Sequence, residues 1–336
     1  MRSHWATFAL ILTVALGAQA QKSRQRGHAE RAAVPRRSTF DAAVINDPNQ
    51  PNVLPSHTGS GVVRAQILLE RAHFSCGEID GNFGSNMQKT VAAYQEDRQL
   101  PATGIVDAVT WRALNRDTAP VLMEYTITAE DQQGPFVPIP VDLMEQAKLP
   151  ELGYTSPIEE LAERFHASPA LLRALNSGAD FTKAEQTLTV PNTICMPPGN
   201  AANVVVSKSE SSVRAYNAEG KLLAFYAATI GSEHDPLPVG QWKILGVRRN
   251  PEFHYSAELF WDAKNPDEKA AIKPGPNNPV GLVWIDLSKE HYGIHGTPEP
   301  SAIGHAASHG CIRLTNWDAL ELAAMVKPGT PAVLRE

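Results

Sequence analysis

A short stretch near the C-terminus, residues 295–316, concentrates residue types that can do covalent chemistry. The run Ser-His-Gly-Cys occupies positions 308–311, and His295 lies sixteen residues before Cys311. A thiol attacks a carbonyl carbon as its thiolate, and a neighbouring imidazole is the usual group that removes the proton near neutral pH. We therefore interpret this stretch as a cysteine–histidine site for acyl transfer, rather than as a buried cysteine among surface histidines.

The same stretch leaves a metal site open as an alternative, because its imidazoles and thiol have spacings that zinc sites also use. The residues concerned are His291, His295, His305, His309 and Cys311. Activity that is sensitive to a chelator but not to a thiol-alkylating reagent would favour the metal. Covalent chemistry is the main prediction, and it requires no cofactor and no metal.

The elements that position these residues belong to a chain of 336 residues, which is long enough for two or three domains. A hydrophobic content of 43% and a charged content of 20% are typical of globular proteins. The chain has 30 basic and 36 acidic residues, so its net charge is −6. This balance argues against a nucleic-acid partner, which usually requires a basic surface.

The N-terminus has the features of a secretory signal over residues 1–20. Arg2 is basic, residues 6–16 are apolar, and Ala18-Gln19-Ala20 fits a cleavage motif. An uncleaved anchor is the alternative, and in both cases we expect the protein to work outside the cytoplasm, in the periplasm or cell wall. Residues 21–57 are rich in Arg, Pro, Ser and Asn and are predicted to form a disordered linker.

Three cysteines in an oxidising compartment leave at least one unpaired. If Cys311 is the reactive thiol, Cys76 and Cys195 either pair or stay free. A bridge between them is a hypothesis, and it would tie the first domain to the start of the last.

Residues 58–118 are predicted to form a small helical domain. Apolar residues recur at helical spacing from Val62 to Ala72 and from Met87 to Tyr94, and Asp107 can cap a last short helix. The segment resembles the peptidoglycan-binding domain of cell-wall enzymes. The matching residues are Gln66, Leu69, Asp80, Gly81, Phe83, Gly84, Val91, Tyr94, Gln95, Leu100, Gly104, Thr110, Trp111 and Leu114. Most of these residues are also what a three-helix core needs, and the resemblance adds the expectation of a glycan or stem-peptide partner.

Residues 120–198 are predicted to form a small α+β module. Helices are expected over residues 158–165 and from Ser168-Pro169 to Asn176, followed by a strand over residues 186–191. This pattern resembles a LysM glycan-binding module, although Ser156-Pro157-Ile158 stands where that family has Gly-Asp-Thr. Sugar binding and a spacer role both remain open.

Residues 200–336 are predicted to form a mainly β domain. Short β-prone runs begin at Asn203, one helix is expected over residues 317–326 with Asn316 as its cap, and a last strand covers residues 330–334. The domain resembles the YkuD-type L,D-transpeptidase catalytic domain, which implies a β-sandwich with one helix after the catalytic cysteine. The resemblance is carried by Pro238-x-Gly240, residues 274–281, Tyr292-Gly293-Ile294-His295-Gly296-Thr297 and Ser308-His309-Gly310-Cys311-Ile312-Arg313.

This resemblance implies a role for each residue of the motif. Cys311 is expected to be the nucleophile and His295 the general base. The Gly296 carbonyl is expected to orient the imidazole, and the backbone N–H of Gly310 to contribute to an oxyanion hole. The remaining motif residues are expected to bind substrate or support the loop, and they are Ser308, His309, Arg313 and Asn316. For Arg313 the alternatives are a substrate carboxylate, or Asp318 or a backbone carbonyl of its own loop.

The resemblance also implies the reaction. The donor is a peptidoglycan tetrapeptide stem, which loses its terminal D-Ala and becomes joined through its third residue to the third residue of a second stem. Water as acceptor would make the protein an L,D-carboxypeptidase, and a lipoprotein lysine as acceptor would make it an anchoring enzyme. Carbapenem-type β-lactams are expected to inhibit it. A non-catalytic wall-binding protein is the alternative from a different class.

Overall fold

The computed structural model describes residues 40–260, 263, 265, 267–305 and 310–336. The predicted signal sequence and residues 21–39 of the predicted linker lie outside these ranges, as do Ser308 and His309. Within the described ranges no helix combines the length and the apolar character that a membrane span requires.

The first described region is helical, as the apolar periodicity predicts. Its elements are α1 (Ala42–Asn46), α2 (Ser60–Arg71), β1 (Phe74–Ser75), α3 (Ser85–Asp97) and α4 (Ala108–Leu114). The predicted cap of α4 is confirmed, because the Asp107 carboxylate accepts the backbone N–H groups of Val109 at 3.1 Å and Thr110 at 2.8 Å.

The second part of the predicted disordered linker is folded, so that prediction is wrong for residues 40–57. Ile45 and Val53 are buried in the core of the helical region. The carbonyl of Pro51 accepts the Trp111 indole N–H at 2.9 Å, and the Arg64 guanidinium donates to the Ile45 carbonyl at 3.0 Å. The few apolar residues of this segment show no helical or strand periodicity in the sequence. The segment is ordered because these residues pack against the helical domain.

The middle region places three α-helices between two paired strands. Its elements are β2 (Leu122–Thr126), α5 (Leu143–Gln146), α6 (Pro157–Arg164), α7 (Pro169–Leu175) and β3 (Thr187–Pro191). The hydroxyls of Ser156 and Ser168 cap α6 and α7, in each case with proline at the first turn. Helices α6 and α7 and strand β3 agree with the sequence prediction, whereas α5 was not predicted. The partner strand β2 was not predicted, and the likeness to LysM stays a prediction.

The C-terminal region is mainly β, as predicted. Its elements are β4 (Asn203–Ser207), β5 (Ser212–Tyr216), β6 (Leu222–Ala227), β7 (Thr229–Ile230), β8 (Gly240–Arg249), β9 (Phe253–Ser256), β10 (Lys269–Ile272), β11 (Val283–Leu287), β12 (Gly293–His295), β13 (Ile312–Arg313), α8 (Asn316–Met325) and β14 (Pro331–Arg335). Strands β9 and β10 form a separate hairpin. The other strands form one sheet, in which β1 of the helical region is the first member, in the order β1-β6-β5-β4-β14-β8-β11-β12-β13-β7.

The long strand β8 joins two halves of this sheet. Its first residues pair with β14 and its last residues pair with β11. Buried residues of both halves, such as Val206 and Ile285, belong to one core together with Leu322 of α8. Helix α8, which follows the cysteine, therefore packs against both halves of the sheet. This packing positions the start of α8 beside β12 and β13.

The helical region and the sheet are joined by strand pairing. Strand β1 lies parallel to β6, with Phe74 opposite Phe225 and Ser75 opposite Tyr226. The Phe74 and Phe225 rings stack with centroids 6.4 Å apart. Because Phe225 is buried in the core of the helical region, the two regions share apolar contacts as well as backbone hydrogen bonds.

Candidate active site

The site is positioned by two short parallel strands, β12 and β13. Ile294 lies opposite Ile312 and His295 opposite Arg313, and both isoleucines are fully buried in the core. Cys311 immediately precedes β13. Since side chains alternate along a strand, burial of the two isoleucines directs the flanking His295 and Arg313 to the other face of the sheet. The pairing brings the histidine and the cysteine, sixteen positions apart in sequence, to adjacent strands.

The His295 imidazole has a defined tautomer. Its Nδ1 lies 2.7 Å from the Gly296 carbonyl oxygen, which can only accept a hydrogen bond. Nδ1 therefore carries the proton and Nε2 has a free lone pair. This is the tautomer that a general base needs, and it agrees with the orienting function expected for Gly296.

The His295 ring is also held by a stacked neighbour. Trp284 lies opposite His295 on β11 and stacks on it, with centroids 5.4 Å apart and planes 16° apart. A Cβ atom on Gly293 would lie 2.5 Å from the Trp284 ring, so only glycine admits the indole there. Burial lowers the pKa of His295 to about 3, and the positive charge of Arg313 acts in the same direction. The imidazole is therefore neutral at physiological pH.

The Cys311 thiol is partly exposed and protonated. Burial raises its pKa, whereas a hydrogen bond from the Gly293 backbone and the charge of Arg313 oppose that rise. The thiol donates weakly to the His291 carbonyl at 3.8 Å. The sequence predicts no function for the His291 carbonyl or the Gly293 backbone, because backbone groups have no residue-type signal.

Gly310 adopts a left-handed conformation, with φ at +90°. A Cβ atom there would lie 2.8 Å from the Tyr292 ring, so a larger residue would be both strained and crowded. The turn before Cys311 therefore depends on glycine at this position, which is where the sequence places the oxyanion-hole candidate.

Asn316 does not cap helix α8, contrary to the sequence prediction. Thr315 is the cap, and its hydroxyl accepts the backbone N–H of Asp318 at 3.2 Å. Asn316 is fully buried, and its Oδ1 accepts the backbone N–H of Leu282 at 2.9 Å while its Nδ2 donates to Glu163 at 2.9 Å. The side chain supports the loop and is not available to substrate. The helix itself is confirmed one residue earlier than predicted.

Two glycines of the motif fit around the Asn316 amide. A Cβ atom on Gly296 would lie 2.1 Å from Asn316 Oδ1, and one on Gly281 would lie 2.0 Å from the same atom. Gly281 has a φ of +62° as well. The amide thus occupies the space beside residues 281 and 296 at the start of α8, next to the residue whose carbonyl orients His295.

Arg313 is half-buried beside the reacting groups. Burial lowers the pKa of Arg313, and the ionisable groups that oppose this shift are Cys311 and Glu299. The Asp318 partner considered as an alternative is engaged elsewhere, because its carboxylate accepts the Ser75 hydroxyl at 3.0 Å. A substrate carboxylate and a backbone carbonyl of its own loop remain the alternatives for Arg313.

Four of the five residues proposed as alternative zinc ligands lie within the described part of the chain, and His309 lies outside it. Among these, His291, His295, His305 and Cys311 do not gather into a group of three potential metal ligands.

The hypothesis of a disulfide between Cys76 and Cys195 is wrong, because both residues are free thiols and no bridge joins them.

Comparison with known proteins identifies two parts of the chain. Residues 201–334 match the YkuD L,D-transpeptidase catalytic domain, and residues 58–114 match a peptidoglycan-binding domain. The L,D-transpeptidase YkuD of Bacillus licheniformis is 33% identical over 177 residues, which cover 52% of this chain and 90% of that protein. YkuD of Bacillus subtilis is 29% identical over 169 residues, which cover 50% and 82%, and YbiS of Escherichia coli is 27% identical over 188 residues, which cover 54% and 60%.

Solved L,D-transpeptidase structures resemble the chain only distantly. One from Xylanimonas cellulosilytica is 15% identical with a TM-score of 0.38 and covers 86% of this chain and 99% of its own. Another, L,D-transpeptidase 3 from Mycobacterium tuberculosis in complex with a faropenem-derived adduct, is 19% identical with a TM-score of 0.34 and covers 46% and 75%. The conclusion therefore rests on the sequence relatives and on the matched domains: the chain belongs to the L,D-transpeptidase family, with a YkuD-type catalytic domain and a peptidoglycan-binding domain before it.

Proposed function

We propose that Cys311 and His295 carry out L,D-transpeptidation on tetrapeptide stems of peptidoglycan. The observation that supports this most directly is the pairing of β12 with β13, which puts a neutral imidazole of fixed tautomer on the strand next to the thiol. The peptidoglycan-binding domain supports the substrate class. It also fits the expectation, from residues 1–20, that the protein is exported to the periplasm or cell wall.

The first half-reaction makes a thioester. Nε2 of His295 accepts the thiol proton as Sγ of Cys311 attacks the carbonyl carbon of the third stem residue. The backbone N–H groups of Gly310 and Cys311 stabilise the oxyanion. The C–N bond to the terminal D-Ala then breaks, and the imidazolium returns its proton to the departing amine.

The second half-reaction transfers the acyl group. The side-chain amine of a third residue on a neighbouring stem attacks the thioester, and His295 accepts a proton from this amine. The C–S bond breaks and Cys311 regains its proton, so the two stems become joined through their third residues. Arg313 lies opposite His295, and we expect its guanidinium to bind a substrate carboxylate.

The test measures covalent and catalytic products with the same variants. The full chain mixed with a carbapenem is expected to gain one adduct by intact mass, and to release D-Ala from tetrapeptide stems. Cys311→Ala should lose both products. Cys195→Ala is the matched control, since this second thiol lies outside the site, and it should retain both.

The products also separate the alternatives. Cross-linked dimers support transpeptidation, tripeptide stems without dimers support an L,D-carboxypeptidase, and stems attached to a lysine-bearing lipoprotein support anchoring. No adduct and no D-Ala release from the wild-type chain would overturn the proposal in favour of a wall-binding protein.

A further inference from the structure

We propose that His73, Cys195 and Glu321 form a zinc-binding site where three parts of the chain meet. His73 follows helix α2 of the peptidoglycan-binding domain, Cys195 lies in the segment before β4, and Glu321 is on helix α8 of the catalytic domain. One ligand atom of each side chain lies within 4.8 Å of the other two. None of the three belongs to the site at Cys311 and His295.

The distances fit a metal ion with a small adjustment. Cys195 Sγ lies 4.0 Å from His73 Nδ1 and 3.9 Å from Glu321 Oε1, and the latter two atoms are 2.7 Å apart. A tetrahedral zinc ion with bonds of about 2.0–2.3 Å separates its ligands by about 3.3–3.6 Å. The sulfur must approach by a few tenths of an ångström, and the His73–Glu321 pair must open by about half an ångström.

The donor types favour zinc over the hard cations. An imidazole nitrogen, a thiolate and a carboxylate are the three ligand classes that zinc accepts, whereas calcium and magnesium require mostly oxygen. Three protein ligands leave the fourth tetrahedral position to water. Cys195 binds as the thiolate, so its proton passes to solvent when the metal enters.

Two of the ligands are held in place by other groups. Glu321 Oε2 accepts the Tyr226 hydroxyl at 2.7 Å, which leaves Oε1 toward His73 and Cys195. His73 has a φ of +65°, and its carbonyl accepts the backbone N–H of Phe225 at 2.8 Å where β1 meets β6. Such outer contacts orient metal ligands and are a usual part of zinc sites.

A bound zinc ion would link the peptidoglycan-binding domain to helix α8, which begins three residues after β13. The metal would connect Glu321 on α8 with His73, the residue before β1, in addition to the β1–β6 pairing. Without metal the same side chains form a His73–Glu321 hydrogen bond with a thiol beside it, and that alternative predicts no specific zinc affinity.

The test uses the full chain, freed of metal by dialysis against a chelator. Titration with Zn²⁺ in the presence of a competing colorimetric chelator is expected to give one ion per chain and a higher Tm. Co²⁺ is expected to give a sulfur-to-metal absorption band in the near-ultraviolet, which reports the thiolate. Cys195→Ser should remove the band, and Cys195→Ser and Glu321→Gln should each weaken zinc binding at least about tenfold.

The controls separate this proposal from the proposed function. Cys311→Ala should bind zinc as the wild type does, although it lacks carbapenem acylation. Unchanged zinc affinity in both Cys195→Ser and Glu321→Gln would overturn the site, as would a cobalt band lost in Cys311→Ala. Circular dichroism of each variant confirms that it is folded before the comparison is made.

Discussion

Cys311 and His295 are both neutral groups in the free protein. The His295 pKa is lowered to about 3 and the Cys311 pKa is raised, in both cases mainly by burial. A preformed thiolate–imidazolium pair would require shifts of the opposite sign. The proton is therefore transferred during attack on the carbonyl, and the Gly296 carbonyl keeps the imidazole in the tautomer that accepts it.

The first prediction concerns the pH dependence of acylation. Since the His295 pKa is below its ordinary value, the imidazole stays unprotonated as the pH falls through 6.5. The acid limb of the carbapenem acylation rate should thus lie below about pH 5, and stopped-flow absorbance measures it. Arg313→Gln is the comparison variant, because loss of its charge should move the limb upward. An inflection near pH 6.5 in the wild type would contradict this.

At the scale of elements, the site depends on how β12 meets the start of α8. The Asn316 amide fills the space beside Gly281 and Gly296, and it reaches Glu163 on α6. Burial raises the pKa of Glu163 to about 7, and the Asn316 hydrogen bond opposes that rise. The Gly296 backbone, which orients His295, therefore lies beside a buried network that includes the middle region of the chain.

The second prediction is that Gly296→Ala disrupts this network. A Cβ atom 2.1 Å from Asn316 Oδ1 must displace the amide and break its buried hydrogen bonds. We expect a loss of about 2–4 kcal/mol in the free energy of unfolding, measured with denaturant, and a fall in the acylation rate of at least about tenfold.

Gly246→Ala is the matched control in the same sheet. A Cβ atom on Gly246 would meet nothing within 4 Å, so unfolding and acylation should remain close to those of the wild type. Equal behaviour of the two variants would show that the Gly296 contact has no special importance.

At the scale of the whole molecule, the regions meet through buried polar pairs. Glu70 and His166 are 2.7 Å apart, and burial raises the Glu70 pKa to about 8 and lowers the His166 pKa to about 4. Near neutral pH the pair is therefore an uncharged hydrogen bond from the carboxyl group to the imidazole. His166 also stacks on Trp317 of α8 at 5.0 Å, so three regions meet around one ring.

The third prediction is that the catalytic domain depends on the helical region for stability. Residues 200–336 alone would leave the edge of β6 unpaired and expose Phe225, which is 1% exposed in the full chain. We expect a single cooperative transition for residues 40–336, and a Tm lower by on the order of 10 °C for residues 200–336. Calorimetry measures both, and equal Tm values would show that the regions are energetically independent.

Local sequence signals are sufficient to predict the helices whose structure depends on neighbouring residues. Helices α2, α3, α6 and α7 follow from apolar spacing and serine caps, and the Asp107 cap follows from residue type. The sequence does not predict the folded structure of residues 40–57 or strand β2, because both are ordered by contacts with distant parts of the chain. Val53 bridges Val106, and β2 pairs with β3 some sixty residues later.

The sequence by itself determined the chemistry, because it shows a thiol, an imidazole sixteen residues before it, and glycines close to both. Only the tertiary structure decided which groups serve it. The parallel pairing of β12 with β13 placed Arg313 beside His295, and the antiparallel pairing of β12 with β11 placed Trp284 there. Burial made Asn316 a support for the loop and not a helix cap. The reason is physical, because residue types are local, whereas burial and strand pairing join positions that the chain keeps far apart.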